Sequence, residues 1–403
     1  MYTRDLSKMP PNFVKDKKPV FGTFLGHPKR LDIRGVYKPY STLALPPFIT
    51  NLRIKSKITV YFNIQEYIGY INFIDAKIFG WAELIFWNIQ TKQKFVFHNI
   101  MGPRKRFIPH DLERASTSSY RKSRYIRMSW DRNRGNLSII FNLKGNKIKP
   151  SVNGALLANF NSPDFAELTY VLPSPTMRRC SATYISSMHL KGTLNLFPKH
   201  QNPIPMTEKE GLCVFEMNRI YTSFRNRGEY VIGFGNLNGK MLSFRLEEKL
   251  NGEVSPERLN DNQLMYDGKI TLLPPVKITH PYGLNKKWII QDTEGMIDLS
   301  FTPISDNLNK ISVFIVRTVY HIIYGTFEGT LLTNQGEKLS FRAFHGIANK
   351  YLVRLWILIF KINLKHKAKI RNKYKQIRSK KQIWNIKFKR KTKSNSFIFL
   401  IWL

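Results

Sequence analysis

Two histidines and one glutamate near the end of the recognisable β pattern have side chains suited to proton transfer. His321, Glu328 and His345 lie among glycines and aromatic residues. Imidazole and carboxyl groups are common acids and bases in enzymes because their environment can bring their pKa values near neutrality. A lone histidine on an apolar strand is more often a structural hydrogen-bonding residue, so both interpretations stay open. The sequence has no G-x-S-x-G, H-E-x-x-H or P-loop motif.

Strand alternation predicts where the carboxyl group of Glu328 points. In an extended segment Glu328 shares a face with Tyr324 and Thr326, opposite Phe327 and Leu331. The first face is polar and mixed, and the second is apolar. We therefore expect Glu328 to face solvent or a water-filled lumen.

A second candidate region is basic and aromatic. The stretch 103–134, PRKRFIPHDLERASTSSYRKSRYIRMSWDRNR, interleaves cations with Tyr120, Tyr125 and Trp130, a pattern suited to phosphates and stacked bases. A solvated or domain-interface sheet face has the same alternation, and an anionic head group is a third possibility. The candidate polyanion-binding residues are Arg104, Lys105, Arg106, Arg121, Lys122, Arg124 and Arg127.

The overall charge points the same way, because 65 Lys and Arg against 27 Asp and Glu give a net charge of +38. Part of this excess lies in a Lys/Ile/Asn-rich tail, 357–403, that contains no acid. The tail is either a nucleic-acid or anionic-lipid binding segment, or an extension outside the fold that results from read-through in an AT-rich gene.

Cysteine and histidine usage predicts neither a metal site nor a cofactor. Cys180 and Cys213 form no C-x-x-C, and the nine histidines show no metal-ligand spacing. The N-terminus lacks the apolar core of a signal peptide, and no apolar run approaches the roughly 20 residues of a membrane span. We therefore expect a cytoplasmic protein without a transmembrane segment.

The elements that must position these residues are mostly strands. From residue 58 onward, short apolar-aromatic runs such as ITVYFNI (58–64), AELIFWNI (82–89) and KMLSFRL (240–246) recur about every ten residues. Asn238-Gly239 and Asp267-Gly268 are predicted hairpin turns, because these dipeptides accept the positive φ of type I′ turns. The pattern predicts an all-β, mainly antiparallel fold.

One short C-terminal helix is also expected. Over 343–356, apolar residues recur at i, i+3, i+4, i+7, i+8 and i+11. The predicted segments are an extended Pro/Lys-rich lead-in (1–57), a first β domain (58–190), a second β domain (191–356) and the tail (357–403), which lies outside the fold.

The second β domain resembles an uncharacterised family, the domain-of-unknown-function family 2804. The resemblance rests on Tyr320-His321 with GTFEGTL (325–331) and FHGIA (344–348), on DNQL…DGK (261–269), and on Trp288 followed by DLSFTP (298–303). It implies tandem lipocalin-like β-barrels, whereas the recurrence of short strands by itself also allows a large β-sandwich. The strands are rich in aromatic residues that could contact a ligand in a barrel. Trp288, Tyr320 and Tyr324 are then the candidate ligand-binding residues.

Two positions depart from the family pattern. Asp261 replaces a common glutamate, and Asn349 stands where an acid usually follows Gly-x-Ala. Any chemical role of those two acids is therefore in question for this chain.

Two functional hypotheses remain. In the first, the barrels bind, or bind and modify, a hydrophobic or amphiphilic small molecule. In the second, a non-enzymatic basic module docks on RNA or an anionic membrane surface.

Overall fold

A computed structural model describes residues 2–40, 46–77, 79–103, 107–146, 149–197, 208–223, 225–250, 254–313 and 316–355. These residues form two large antiparallel sheets and one helix, α1 (Pro47–Leu52). The predicted all-β class is confirmed. The tail 357–403 lies outside the described residues.

The first half of the chain forms a sheet of 13 strands, of which ten follow one another in a nearly closed barrel. Its lead-in strands are β1 (Leu6–Ser7) and β4 (Gly22–Leu25), and a separate small hairpin joins β2 (Val14–Lys15) to β3 (Lys18–Pro19). The remaining strands are β5 (Ile54–Ile64), β6 (Tyr67–Asp75), β7 (Gly80–Asn88), β8 (Lys94–Met101), β9 (Arg114–Arg121), β10 (Arg124–Asp131), β11 (Asn136–Leu143), β12 (Ser151–Asn159), β13 (Ala166–Pro173), β14 (Cys180–Phe197) and β15 (Lys209–Tyr221).

Side chains join the two ends of this barrel sheet. The barrel order runs β8-β7-β6-β5-β15-β14-β12-β11-β10-β9, which leaves β8 and β9 as edges. Asn99 Nδ2 donates to Ser119 Oγ at 3.0 Å, and Arg121 donates to the Ile100 carbonyl at 3.1 Å. Arg124 donates to the His98 carbonyl at 2.7 Å. These bonds satisfy edge groups that would otherwise be free to pair with another chain.

The second sheet has nine strands in the order β19-β18-β17-β16-β24-β23-β22-β21-β20, curled into a half-barrel. Its strands are β16 (Arg225–Leu237), β17 (Lys240–Lys249), β18 (Gln263–Tyr266), β19 (Lys269–Leu272), β20 (Lys277–Thr279), β21 (Trp288–Gln291), β22 (Ile297–Val313), β23 (Val316–Leu332) and β24 (Lys338–Leu355). The chain passes from the first sheet to the second between β15 and β16. The predicted domain limits remain predictions.

Both predicted hairpin turns are confirmed. Asn238 and Gly239 have φ of 54° and 80° and connect β16 to β17. Asp267 and Gly268 have φ of 53° and 71° and connect β18 to β19. Positive φ at both central residues is the type I′ signature.

The predicted C-terminal helix is wrong, because residues 343–355 lie in β24. Phe344 and Ala348 pack in the core on one side of the sheet, whereas Ile347 and Tyr351 pack on the other side. A strand that buries apolar residues on both faces can also match the i, i+3, i+4 pattern of a helix, because its apolar residues are no longer restricted to every second position.

Apolar residues form three cores. One fills the barrel, and a second lies against the concave face of the half-barrel. The third lies between the two sheets, where the outer side chains of β5, β6, β7, β13 and β15 meet those of β16, β17, β23 and β24. Within the described residues, no helix is both long and apolar enough to span a membrane.

Candidate functional site

Strand β17 directs a row of charged side chains at the barrel. Leu242, Phe244 and Leu246 pack in the core of the half-barrel, so Arg245 and Glu247 point to the opposite face, between the sheets. Both side chains are 7% exposed. A charged pair this deeply buried needs partners in its surroundings.

Arg245 is the centre of a buried charge cluster. Its guanidinium lies 2.9 Å from Asp261 Oδ2 and 2.5 Å from Glu247 Oε2. Its Nε lies 3.4 Å from Oε2 of Glu216, which comes from strand β15 of the barrel. Three carboxylates from two sheets therefore surround one arginine.

Further polar groups complete the cluster. Lys249 Nζ lies 3.3 Å from Asp261 Oδ2, and the Tyr351 hydroxyl donates to Glu247 Oε1 at 2.9 Å. The backbone N–H of Glu247 donates to Asn262 Oδ1 at 2.8 Å. The turn that holds Asp261 is thereby fixed against β17.

The environment separates the pKa values of the two neighbouring carboxyl groups. Burial raises the pKa of Glu247, and the negative charge of Asp261 raises it further. Burial also opposes ionisation of Asp261, but Lys249 and Arg245 more than offset it and lower the pKa of that carboxyl. Pairs of carboxyl groups separated in this way can act as a proton donor and an anion.

Several buried atoms of the cluster have no hydrogen-bond partner among the described residues. They are Tyr170 Oη, Glu216 Oε2, Arg245 Nε, Asp261 Oδ1 and Gln263 Oε1. Gln263 lies opposite Arg245 in the sheet register, and Tyr170 reaches the interface from strand β13 of the barrel, where it interacts electrostatically with Arg245. Glu216 Oε2 and Arg245 Nε attract each other as an ion pair without forming a hydrogen bond. Burial raises the pKa of Tyr170 well above its ordinary value, so its hydroxyl keeps a proton to donate. Native proteins leave few buried polar groups unpaired, and those that exist point to an additional polar partner.

A polar and aromatic layer extends from the cluster along the interface between the sheets. The Tyr230 ring lies 5.0 Å from the Arg245 guanidinium, and its hydroxyl is 3.0 Å from that of Tyr61. Glu83 accepts hydrogen bonds of 2.7 Å from Tyr70 and from Asn309. Polar groups thus alternate with apolar rings across the interface.

Comparison with known families identifies the chain. The model of a domain of unknown function (DUF2804) matches residues 40–355. The chain belongs to this family. No curated protein matches it. Among solved structures, the crystal structure of kievitone hydratase from Nectria haematococca is similar over 75% of this chain and 88% of that chain, with 8% identity and a TM-score of 0.46.

The two positions that depart from the DUF2804 pattern both face the interface between the sheets. Asp261 is part of the charge cluster. Asn349, on β24, lies opposite Tyr230 of β16 in the sheet register. Its Oδ1 has no hydrogen-bond partner among the described residues. The resemblance therefore contained a signal for this site, whereas the sequence alone did not single out Glu216, Arg245 or Glu247.

The proposed ligand-binding aromatics do not lie together. Tyr320 borders the polar layer, where burial raises its pKa to about 12. Tyr324 is buried between the sheets, with its ring stacked 5.6 Å from that of Trp87. Trp288 lies in the core of the half-barrel and donates from Nε1 to the Leu284 carbonyl at 2.9 Å. Of the three, Tyr320 is therefore the one that lies beside the polar layer extending from the Arg245 cluster.

The three proton-transfer candidates also lie apart. His321 Nδ1 is 2.8 Å from Asp306 Oδ2, and His345 Nδ1 is 3.1 Å from the Tyr324 hydroxyl. Ile323 and Ile347, two residues after each histidine, belong to different cores, which places the two histidines on opposite faces of the sheet.

The third candidate, Glu328, is 56% exposed, which agrees with the prediction that its carboxyl group faces solvent.

His321 adjoins a separate polar row on the concave side of the half-barrel. In the sheet register it lies opposite Lys350, which lies opposite Glu229. Lys350 Nζ is 2.6 Å from Glu229 Oε1, and His280 Nε2 is 3.1 Å from Glu229 Oε2. These contacts pair both oxygens of the buried Glu229 carboxylate, so this row is a set of satisfied ion pairs at the edge of the half-barrel core.

The basic candidates divide into two groups. Arg121, Lys122 and Arg124 line one surface groove, and Arg127 is exposed on β10. Arg104, Lys105 and Arg106 lie outside the described residues. In the described part of the chain, no three His, Cys, Asp or Glu side chains are arranged to hold a metal ion.

Replacing Asp261 with asparagine is expected to reduce the acid sensitivity of folding. Burial opposes ionisation of Asp261, yet the cations lower its folded-state pKa below the ordinary 3.8. Its stabilising contribution is therefore present above the unfolded-state pKa and is lost as the pH falls through the folded-state pKa. The difference in unfolding free energy between wild type and Asp261→Asn should be constant above pH about 5 and narrow below pH about 4.

Urea unfolding across this pH range measures that difference. Asp298→Asn is a suitable control, because Asp298 is exposed on the same sheet. A difference for Asp261→Asn that stays constant down to pH about 3 would contradict the assignment.

Proposed function

We propose that this protein binds a small amphiphilic molecule between its two sheets, with the polar end of the molecule at the Arg245 cluster. The observation that supports this most strongly is the set of five buried polar atoms without a hydrogen bond around one arginine and three carboxylates. A ligand oxygen or hydroxyl could satisfy several of them at once.

The energetic cost of the cluster favours a functional origin. Buried ion pairs usually contribute less stability than apolar side chains of similar volume would, because desolvation offsets their attraction. Apolar side chains in place of Arg245, Glu216 and Glu247 would stabilise the fold about as well. Recognition of a polar ligand group therefore explains the charged residues better than stability does.

The surroundings of the cluster favour an amphiphile rather than a fully polar ligand. Apolar side chains from both sheets pack in the same interface as the charged groups, including Leu168, Leu172, Ile232, Met241 and Met265. Binding sites for small molecules commonly combine such apolar walls with a few fixed polar groups. Burial and the neighbouring Asp261 raise the pKa of Glu247, which makes its carboxyl group the easier of the two to protonate when a ligand oxygen approaches.

Native mass spectrometry of protein purified without detergent tests the proposal, with organic extraction to identify the bound compound. The expected result is a one-to-one complex with a small organic molecule. Protein that is repeatedly empty, and that takes up no amphiphile from a mixed lipid extract, would contradict it.

Removing the unpaired hydroxyl of Tyr170 should separate binding from stability. Tyr170→Phe deletes a buried polar atom without a partner among the described residues, so the free energy of unfolding of the ligand-free protein should be unchanged or rise by about 1–3 kcal/mol. Ligand affinity should fall by about tenfold, because a hydrogen bond to the ligand is lost. Unfolding and ligand titration on the same samples measure both quantities.

Tyr184→Phe is the matched control. The Tyr184 hydroxyl donates to Glu167 Oε2 at 2.7 Å and belongs to the barrel core. This substitution should lower stability and leave ligand affinity unchanged. If both variants affect affinity equally, or if Tyr170→Phe leaves affinity unchanged, Tyr170 does not contact the ligand.

A further inference from the structure

The outer face of the barrel has a groove at the end of strands β9–β12. The groove has a volume of about 540 Å³, and its described lining contains four cationic residues and no acid. The four cations are Arg121, Lys122, Arg124 and Lys144. This chemistry favours an anionic ligand.

A row of side chains crosses the floor of the groove. In the sheet register Tyr120 lies opposite Tyr125, Tyr125 opposite Asn142, and Asn142 opposite Asn153. All four point away from the barrel, because their neighbours in sequence, such as Phe141 and Val152, fill its core. With strands about 4.8 Å apart, the row extends for roughly 15 Å.

We propose that this row, with its basic rim, binds single-stranded RNA. Tyr120 is 65% exposed, and its ring meets that of Tyr125 edge-on at 6.3 Å, which leaves a face of Tyr120 free for a base. Base stacking on exposed aromatic side chains and phosphate contacts to lysine and arginine are the usual means of binding single strands. The amides of Asn142 and Asn153 add donors and acceptors for base edges.

The cations of the rim differ in what they can contribute. Arg121 and Arg124 already donate to backbone carbonyls of β8, so they help to hold the barrel edges together. Lys122 and Lys144 are exposed, and their ammonium groups have no partner among the described residues. A phosphate at Lys122 or Lys144 would therefore break no existing contact.

An extended strand fits this groove better than a membrane surface does. Interfacial segments insert apolar side chains into lipid beside their basic residues. Here the described lining between the cations consists of amides, hydroxyls and tyrosine rings, with Phe197 as its one wholly apolar side chain. Polar groups of this kind match nucleotides.

Fluorescence anisotropy of a labelled oligouridylate of about 12 nucleotides with the full chain tests this proposal. Three or four phosphate contacts predict a slope of log K against log salt of about −2 to −3. Tyr120→Ala should weaken binding by about tenfold or more with an unchanged slope. Lys122→Gln and Lys144→Gln should each reduce the magnitude of the slope by about 0.7.

Two matched controls account for binding elsewhere on this basic chain. Tyr282→Ala and Lys286→Gln alter an exposed tyrosine and lysine on the half-barrel, and both should leave affinity and slope unchanged. The groove proposal fails if Tyr120→Ala or the lysine variants bind like wild type. It also fails if vesicles of phosphatidylserine and phosphatidylcholine bind in a Tyr120-dependent manner while the oligonucleotide does not.

Discussion

Replacing Arg245 with methionine is expected to lower the free energy of unfolding by about 3–5 kcal/mol. The substitution leaves Glu216, Glu247 and Asp261 buried around an apolar side chain, with Lys249 and Lys57 still present as nearby cations. Removing one partner of a buried ion pair is costly because the other charge stays desolvated. Chemical unfolding with urea, monitored by tryptophan fluorescence, measures the loss.

A second substitution tests whether the loss of stability comes from a buried carboxylate that has lost its cationic partner. Arg245→Met combined with Glu247→Gln removes one negative charge and should recover part of the stability that the single variant loses. Arg245→Lys keeps the charge but loses the forked geometry, so an intermediate loss is expected. A loss below about 1 kcal/mol for Arg245→Met would mean that water already solvates the cluster.

Replacing Trp288 with alanine is expected to cost about 3–5 kcal/mol of unfolding free energy and to leave ligand affinity unchanged. The indole is fully buried, with ring centroids 5.9 Å from Phe301 and 5.2 Å from His280. The truncation creates a cavity in the core of the half-barrel and removes the hydrogen bond to the Leu284 carbonyl. Thermal unfolding and ligand titration measure the two effects.

Tyr282→Ala provides the comparison for an aromatic side chain on the half-barrel, because Tyr282 is 82% exposed. It should change stability by less than about 0.5 kcal/mol. The opposite pattern for Trp288→Ala, with stability kept and ligand binding lost, would return Trp288 to the set of ligand-binding residues and place the ligand inside the half-barrel.

Local chemistry made the strands and hairpins predictable. The hairpin that joins β16 to β17 depends on two residues that accept positive φ, and Asn238-Gly239 supplies both of them. The helix was mispredicted over Phe344 to Tyr351 because periodicity reports which residues are apolar, and β24 is apolar on both faces.

The site was hard to predict because its burial depends on how the two sheets pack. In β17 the apolar residues Phe244 and Leu246 alternate with the charged residues Arg245 and Glu247, which is the usual pattern of a strand with one solvated face. This face of β17 is buried because the barrel packs against it, with strand β15 placing Glu216 beside Arg245. Long-range contacts of this kind leave little trace in local sequence.

The most direct test of the central proposal is a crystal structure of the protein with its co-purified molecule or with an amphiphile taken up from a lipid extract. The proposal predicts electron density between the two sheets, with a polar atom of the molecule within hydrogen-bond distance of Tyr170 Oη and of Arg245 or Glu247. Density confined to the concave side of the half-barrel, near Trp288 and His280, would contradict it.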